Sequence, residues 1–137
     1  MKILVAYDGS AEARNALNWA GQLAKGQGEH TVTVIGVVPT LEATEPIADA
    51  VDPSSGAAKV RTHLAEAEEL LATAGVKATT VLKAGNPSEE ILDLADGGAY
   101  DVIVVGNRGV GGARRFLMGS VSERVVRHSS KPVLVVR

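Results

Sequence analysis

Residues 101–106 read DVIVVG, four apolar β-branched residues in an unbroken run between an aspartate and a glycine. The run does not alternate with polar residues, which is typical of a strand buried on both faces of a parallel sheet. Residues 3–7, ILVAY, form a second apolar run near the N-terminus. We therefore expect these two stretches to be neighbouring strands, with the first strand at the centre of the sheet.

Strand and helix patterns alternate along the rest of the chain. Five strands are predicted at residues 3–7, 31–38, 78–83, 101–106 and 132–136. Four helices are predicted between them, the first ending before Gly26, the second at residues 55–74, the third opening at Asn86 and the fourth opening near Ser120. This alternation predicts an α/β fold in which helices cover both faces of an open, doubly wound parallel sheet. Five strands are too few for an eight-stranded barrel of the (β/α) type. We expect the strand order 3-2-1-4-5.

Two of the predicted helix starts carry capping patterns. Asn86-Pro87-Ser88-Glu89 supplies an N-cap asparagine, a proline at the first helical position and a glutamate at the third. Ser120-Val121-Ser122-Glu123 fits a capping box with Ser120 as the N-cap. Trp19, on the first helix, is expected to pack against the protein. On the second helix, the side chains expected to face inwards are Val60, Leu64, Ala67 and Leu71.

The composition limits the class of protein. A chain of 137 residues is expected to form one domain, residues 1–137. It has no cysteine, which excludes disulfides and thiolate metal sites and is compatible with a reducing compartment. The N-terminal apolar run is too short for a signal peptide or a membrane span, so we expect a cytoplasmic protein. The three histidines are far apart in the sequence and do not predict a metal site.

Charge is unevenly distributed along the chain. Residues 106–137 carry seven Lys or Arg residues and one acid, whereas residues 1–105 carry seven basic residues and fifteen acids. A basic segment in an otherwise acidic protein indicates an anionic partner. The segment has a single aromatic residue, Phe116, that could stack on bases, so we do not expect a nucleic-acid partner.

The glycine loop, residues 106–120, reads GNRGVGGARRFLMGS and holds five glycines and three arginines. It leads from a buried strand into the start of the fourth helix, where unpaired N–H groups and a partial positive charge favour anions. Glycine lets a backbone approach phosphate oxygens closely. Arg108, Arg114 and Arg115 add positive charge, and Ser120 and Ser122 add hydroxyl donors. Composition alone is equally compatible with a flexible connector. The position beyond the carboxyl end of a strand favours a phosphate site.

Two common nucleotide motifs are not found in the loop. The sequence has no Gly-Lys-Ser/Thr, which a P-loop requires. In GVGGAR, residues 109–114, an arginine stands where the dinucleotide fingerprint has its third glycine. Neither P-loop NTPases nor ordinary NAD-binding domains are therefore expected.

The spacing Gly106-x₂-Gly109-x₉-Gly119-Ser120 resembles the nucleotide-binding motif of universal stress proteins. ILVAYDGS at the start, DVIVVGNRG before the loop and GSVSERVVRHSSKPVLVVR at the end are also similar to that family. The resemblance covers essentially the whole chain. It implies a Rossmann-like sheet of the adenine nucleotide alpha hydrolase-like type, binding of ATP with Mg²⁺ held through the phosphates, and a homodimer.

The resemblance also implies a set of binding residues. In the first strand it assigns the nucleoside to Ala6, Tyr7 and Asp8, with Asp8 bonding ribose, base or a water on Mg²⁺. At the end of the second strand it assigns the adenine wall to Val37. The phosphate-binding positions, with Val105 directly before them, are Gly106, Arg108, Gly109, Gly119, Ser120, Val121 and Ser122. No catalytic residue is assigned. Asp8 also fits a simple helix-start residue, since aspartate favours turns and caps.

These assignments leave three functions open. The first is a regulatory module that holds ATP and shapes contacts with a protein partner during stress. The second is a slow ATPase or phosphotransferase, with turnover well below about 10 per second because a P-loop lysine and an obvious base are missing. The third is a nucleotide-independent dimeric interaction module.

A homodimer is expected to form through the last strand, residues 132–136. In the proposed order this strand lies at a sheet edge, and nothing later in the sequence covers it. An apolar edge with open N–H and C=O groups invites pairing with a second copy. The alternative is a monomer whose edge is shielded by Lys131 and Arg137.

Overall fold

The computed structural model describes residues 1–39, 56–108 and 118–137. Within them five strands alternate with four helices. The strands are β1 (Lys2–Ala6), β2 (Thr31–Pro39), β3 (Ala78–Gly85), β4 (Val102–Gly106) and β5 (Val133–Val136). The helices are α1 (Ala11–Ala24), α2 (Gly56–Thr73), α3 (Pro87–Gly97) and α4 (Ser120–His128). Every predicted element is present, with ends that differ by one or two residues.

The strands form one parallel sheet in the order β3-β2-β1-β4-β5. The predicted order 3-2-1-4-5 is therefore confirmed, with β1 at the centre. Val5 pairs in register with Val34 of β2 on one side and with Val104 of β4 on the other. All three of these valines are fully buried, which agrees with the apolar runs from which the strands were predicted.

Two apolar clusters lie on opposite faces of the sheet. Ile3 and Val5 point towards α1 and α2, where they meet Leu17, Leu64 and other buried side chains. Leu4 points the other way, towards α3 and α4, and packs with Ile91, Ile103 and Val125. Side chains that alternate along a strand reach both faces, so a strand covered on both sides needs no polar alternation. Within the described residues no helix is long and apolar enough to cross a membrane.

The two predicted caps have different outcomes. The Asn86 side chain accepts a hydrogen bond from the backbone N–H of Glu89, and Pro87 opens α3, as predicted. The capping box at α4 is wrong, because the N-cap is Gly119 and Ser120 is already helical. The Ser122 hydroxyl donates instead to the backbone carbonyl of Gly106, 16 residues earlier. This bond joins the start of α4 to the end of β4.

The prediction for Trp19 is also wrong. The side chain lies on α1, but 49% of it is exposed. Asn15, one turn earlier on the same side of the helix, donates a hydrogen bond from Nδ2 to the carbonyl of Arg137, at 2.9 Å. That contact puts this side of α1 next to the edge strand β5.

Candidate functional site

A cleft of about 670 Å³ opens at the carboxyl edge of the sheet. It runs across the ends of β4, β1 and β2, and the amino-terminal parts of all four helices border it. The residues that line it are Ala6, Tyr7, Asp8, Ala13, Ile35, Val37, Pro39, Gly56, Lys59, Val60, His63, Pro87, Ile91, Val105, Gly106, Arg108, Gly119, Ser120, Val121 and Ser122. In open α/β folds this edge is where ligands bind.

The structure brings the predicted binding residues to this one cleft. Its lining includes Ala6, Tyr7, Asp8, Val37, Val105, Gly106, Arg108, Gly119, Ser120, Val121 and Ser122. Gly109, with most of the glycine loop, lies outside the described residues. Residues that are up to 116 positions apart in the sequence thus share one surface, because the parallel strands all end at the same edge.

The turn after β1 gives Asp8 two roles in the structure. Asp8 Oδ1 accepts a hydrogen bond from the backbone N–H of Ser10, at 3.0 Å, so the carboxylate stabilises the turn into α1. Ser10 is the N-cap of that helix and accepts from the N–H of Ala13, at 3.1 Å. Asp8 is also exposed and lines the cleft. It is the one carboxylate among the described lining residues.

At the end of β4, Gly106 is required by packing, a reason that comes in addition to the predicted one. A β-carbon on Gly106 would lie 2.9 Å from backbone and side-chain carbons of Glu12 and 3.0 Å from the nitrogen of Ala13. Glycine therefore lets β4 pack directly against the first turn of α1. The predicted reason was close approach of a phosphate.

Arg108, two residues after Gly106, forms an ion pair with Glu12 that the sequence did not predict. Its Nη2 atom donates to Glu12 Oε1 at 3.2 Å, and each side chain is about three-quarters buried. Its Nε atom is buried and has no hydrogen-bond partner within the described residues. The guanidinium is thus oriented at the cleft wall, with part of its charge balanced by Glu12.

The first turn of α4 supplies the main group of donors. The N-cap, Gly119, has no side chain that could accept hydrogen bonds from the N–H groups that follow. The first N–H groups of a helix lack partners within the helix, and the helix dipole adds positive potential there. Ser120, Val121 and Ser122 make up this turn, and all three line the cleft. The Ser122 hydroxyl, predicted as a phosphate donor, is bonded to Gly106 instead.

Helix α2 adds lining residues that the sequence reasoning missed. Gly56, Lys59, Val60 and His63 recur at helical spacing and border the cleft on the side away from α4. Four apolar positions of this helix were predicted to face inwards. Leu64, Ala67 and Leu71 are buried as expected, whereas Val60 is only partly buried and lines the cleft. The sequence could have indicated these residues, because they lie near the amino end of α2 on the face next to its predicted buried face.

A polar cluster ties α2 to β1. The Tyr7 hydroxyl donates to Glu66 Oε1 at 2.7 Å, and the same carboxylate lies 3.1 Å from Nη2 of Arg14 on α1. Burial, followed by the hydrogen bond to Glu66, raises the pKa of Tyr7. The hydrogen bond from Tyr7 lowers the pKa of Glu66, and the Arg14 charge adds to that effect. The cluster therefore fixes α2 beside the cleft.

Comparison with known proteins gives one consistent result. The model of the Universal stress protein family matches residues 1–137. The Bacillus subtilis universal stress protein YxiE is 34% identical over 145 residues, covering 99% of this chain and 98% of YxiE. A universal stress protein in complex with cAMP is 27% identical with a TM-score of 0.80, covering 100% of this chain and 97% of the other. A universal stress protein from Archaeoglobus fulgidus in complex with dAMP is 25% identical with a TM-score of 0.79, covering 100% and 98%.

Proposed function

The chain belongs to the universal stress protein family, and from this we propose that it is an ATP-binding regulatory module of the stress response. ATP would lie in the cleft at the carboxyl edge of the sheet, with its phosphates at the start of α4. Occupancy by the nucleotide would alter contacts with a regulatory protein partner. The proposal places the protein in the cytoplasm, which is compatible with the absence of cysteine.

The observation that carries this proposal is the open first turn of α4. Gly119 leaves the N–H groups of Ser120, Val121 and Ser122 without a capping side chain, and these residues border the cleft. Such a helix start binds phosphate through its N–H groups and its dipole. The guanidinium of Arg108 lies on the same wall. We call this part of the cleft the phosphate end.

The family relatives support an adenine nucleotide as the ligand. Universal stress proteins at 25% and 27% identity form complexes with dAMP and with cAMP. Both ligands share the adenine base and a phosphate with ATP. The described lining is apolar near Val37 and Pro39 and rich in donors near α4, which suits a molecule with one apolar and one anionic end.

The donor set of the cleft fits Mg²⁺ only if the nucleotide supplies most ligands. Asp8 is the one carboxylate of the described lining, and one carboxylate with phosphate oxygens and waters is a usual magnesium environment. Mg²⁺ would neutralise part of the phosphate charge. Asp8 would bond to the nucleoside or to a water on the metal while keeping its bond to Ser10.

We further propose that two copies pair through β5. The strand lies at an edge of the sheet, and its residues are only partly buried except for Val136. Pro132 and Val136 direct their carbonyls to β4, so Val133 and Val135 direct their N–H and C=O groups to the open edge. The exposed Trp19 lies on the side of α1 next to this strand and adds apolar surface.

Calorimetric titration of the purified protein with ATP, in the presence and absence of Mg²⁺, tests the proposal. We expect saturable binding of one ATP per chain, tighter with Mg²⁺. Denaturing the protein as purified and identifying any released nucleotide by mass spectrometry shows which ligand it retains. A folded protein that binds neither ATP nor another adenine nucleotide would contradict the proposal.

A further inference from the structure

The face of α2 that borders the cleft carries two polar side chains without an assigned role. Lys59 and His63 lie one helical turn apart and both line the cleft. Neither belongs to the glycine motif or to the strand ends from which the site was predicted.

The position of this face is fixed by two independent contacts. Gly36 of β2 lets α2 come close, because a β-carbon there would lie 2.6 Å from Cγ1 of Val60. Farther along α2, the Tyr7 hydroxyl holds Glu66 at 2.7 Å. His63 lies between these two anchor points, so its ring is held against the cleft.

The imidazole of His63 occupies the space above the turn that follows β1. A β-carbon on Gly9 would lie 2.7 Å from His63 Nε2, 2.9 Å from Cε1 and 3.0 Å from Cδ2. Gly9 has φ +83°, which also favours glycine. The Tyr7 ring meets the imidazole edge to face, with centroids 6.2 Å apart and an interplanar angle of 88°. The ring therefore forms a wall of the cleft next to Asp8.

His63 stands over the turn after β1, the strand between β4 and β2, and Val60 of the same helix packs against Gly36 of β2. The wall therefore lies on the β1 and β2 side of the cleft, away from the start of α4. Since β4, β1 and β2 are consecutive strands, the ends of β4 and β2 are two strand spacings apart, roughly 10 Å. A nucleotide whose phosphates lie at α4 would span that distance and present its sugar and base to β2 and α2. We call this part the nucleoside end.

We infer that His63 and Lys59 bind the nucleoside part of the ligand. The imidazole packs against the sugar and base, as histidine rings do with bases in other proteins. The Lys59 ammonium donates to an acceptor on the base or ribose. Both residues thus contribute to selection of the nucleotide through its nucleoside. This inference rests on the proposed function, since it assumes that the phosphates occupy the α4 end.

Comparison of adenosine with ATP separates the two ends of the cleft. His63→Ala and Lys59→Ala are titrated with both ligands by calorimetry, and His128→Ala and Lys77→Ala serve as matched controls outside the lining. Loss of a nucleoside contact weakens the affinities for adenosine and for ATP by the same factor. For His63→Ala we expect this factor to be about fivefold or more. The controls should bind like the wild type. Circular dichroism and thermal unfolding check the fold, and the exposed Lys59 provides a variant that does not disturb the core.

The outcomes have distinct meanings. Equal losses for adenosine and ATP support the inference. Unchanged adenosine affinity in a folded variant, or a loss confined to ATP, overturns the assignment of that residue. A wild-type protein that binds neither ligand contradicts the proposed function itself, and the inference fails with it.

Discussion

The guanidinium of Arg108 lies 3.2 Å from the carboxylate of Glu12. This ion pair joins the segment that follows β4 to the first turn of α1. Both side chains are largely buried, so the pair holds the guanidinium in one orientation at the cleft wall. Glu12 therefore balances part of the positive charge predicted for this loop. A phosphate that reaches Arg108 would share the guanidinium with Glu12.

The first prediction concerns this arginine. Arg108→Ala should weaken the affinity for ATP about tenfold or more, because a charge-assisted hydrogen bond to phosphate is lost. The affinity for adenosine should not change. Calorimetry with both ligands measures the two affinities. Arg124→Ala removes an exposed arginine of α4 that is not part of the lining and serves as the control. Equal weakening of adenosine and ATP would remove Arg108 from the phosphate end.

The second prediction concerns the close approach of β4 to α1. Gly106→Ala should lower the free energy of unfolding by about 1–3 kcal/mol, because the new methyl group meets Glu12 and the nitrogen of Ala13. Urea unfolding measures the change. Gly97→Ala, where a β-carbon has open space at the end of α3, should be neutral or slightly stabilising. If both variants are equally stable, the contact between β4 and α1 is looser than described.

The third prediction concerns pH. A lowered pKa in the folded state means that the Glu66 carboxylate stabilises the protein above the ordinary pKa of glutamate, and this stabilisation is lost as pH falls through the folded pKa. Tyr7→Phe removes the main cause of the lowered pKa. This substitution should lower the free energy of unfolding by about 1 kcal/mol at pH 7 and by less at pH 3. The effect is small because Glu66 is partly exposed.

Urea unfolding of wild type and Tyr7→Phe across this pH range measures the difference. Glu66→Gln is the control, because it keeps an acceptor for Tyr7 but no longer titrates. A difference between wild type and Tyr7→Phe that is constant from pH 7 to pH 3 would show that Tyr7 does not act through the Glu66 carboxylate.

The fourth prediction concerns the edge strand. Val135→Pro removes an N–H group that faces the open edge of the sheet while leaving the bonds between β4 and β5 in place. Light scattering should find the wild type as a dimer at micromolar concentration and this variant shifted towards monomer. Val135→Thr, which keeps the N–H group, should remain dimeric. A monomeric wild type would rule out pairing through β5 at that concentration.

The fold could be predicted because each strand carries its own signal. Residues 102–105 and 3–5 are apolar without a break, and the structure buries all of them except Val102, which is partly buried. Local sequence patterns gave the wrong N-cap for α4, because a residue distant in the sequence determines how that helix begins. Ser120 fits a capping box in sequence, but the hydroxyl of Ser122 bonds to Gly106, and Gly119 becomes the N-cap. No pattern within four residues contains that information.

The candidate site was predictable on one side only. The family resemblance and the glycine spacing predicted the walls formed by β1, β4 and α4, together with Val37 of β2, because those residues lie at strand ends or within a known motif. The wall formed by Lys59 and His63 depends on where α2 lies, which is set by Gly36 and by a bond from Tyr7 to a residue 59 positions later. Such tertiary contacts have no local sequence pattern.

The most direct test of the account is the titration of wild type and Gly109→Val/Gly119→Val with ATP and Mg²⁺. The resemblance assigns both glycines to the phosphates, and Gly119 is the N-cap of α4, so valine at both positions is expected to fill space that the phosphates need. Gly97→Val, far from the cleft lining, is the control for the added side-chain volume. We expect the wild type and the control to bind ATP and the folded double variant to show no detectable binding. Unchanged ATP affinity in the folded double variant would contradict the claim that the phosphates lie at this loop.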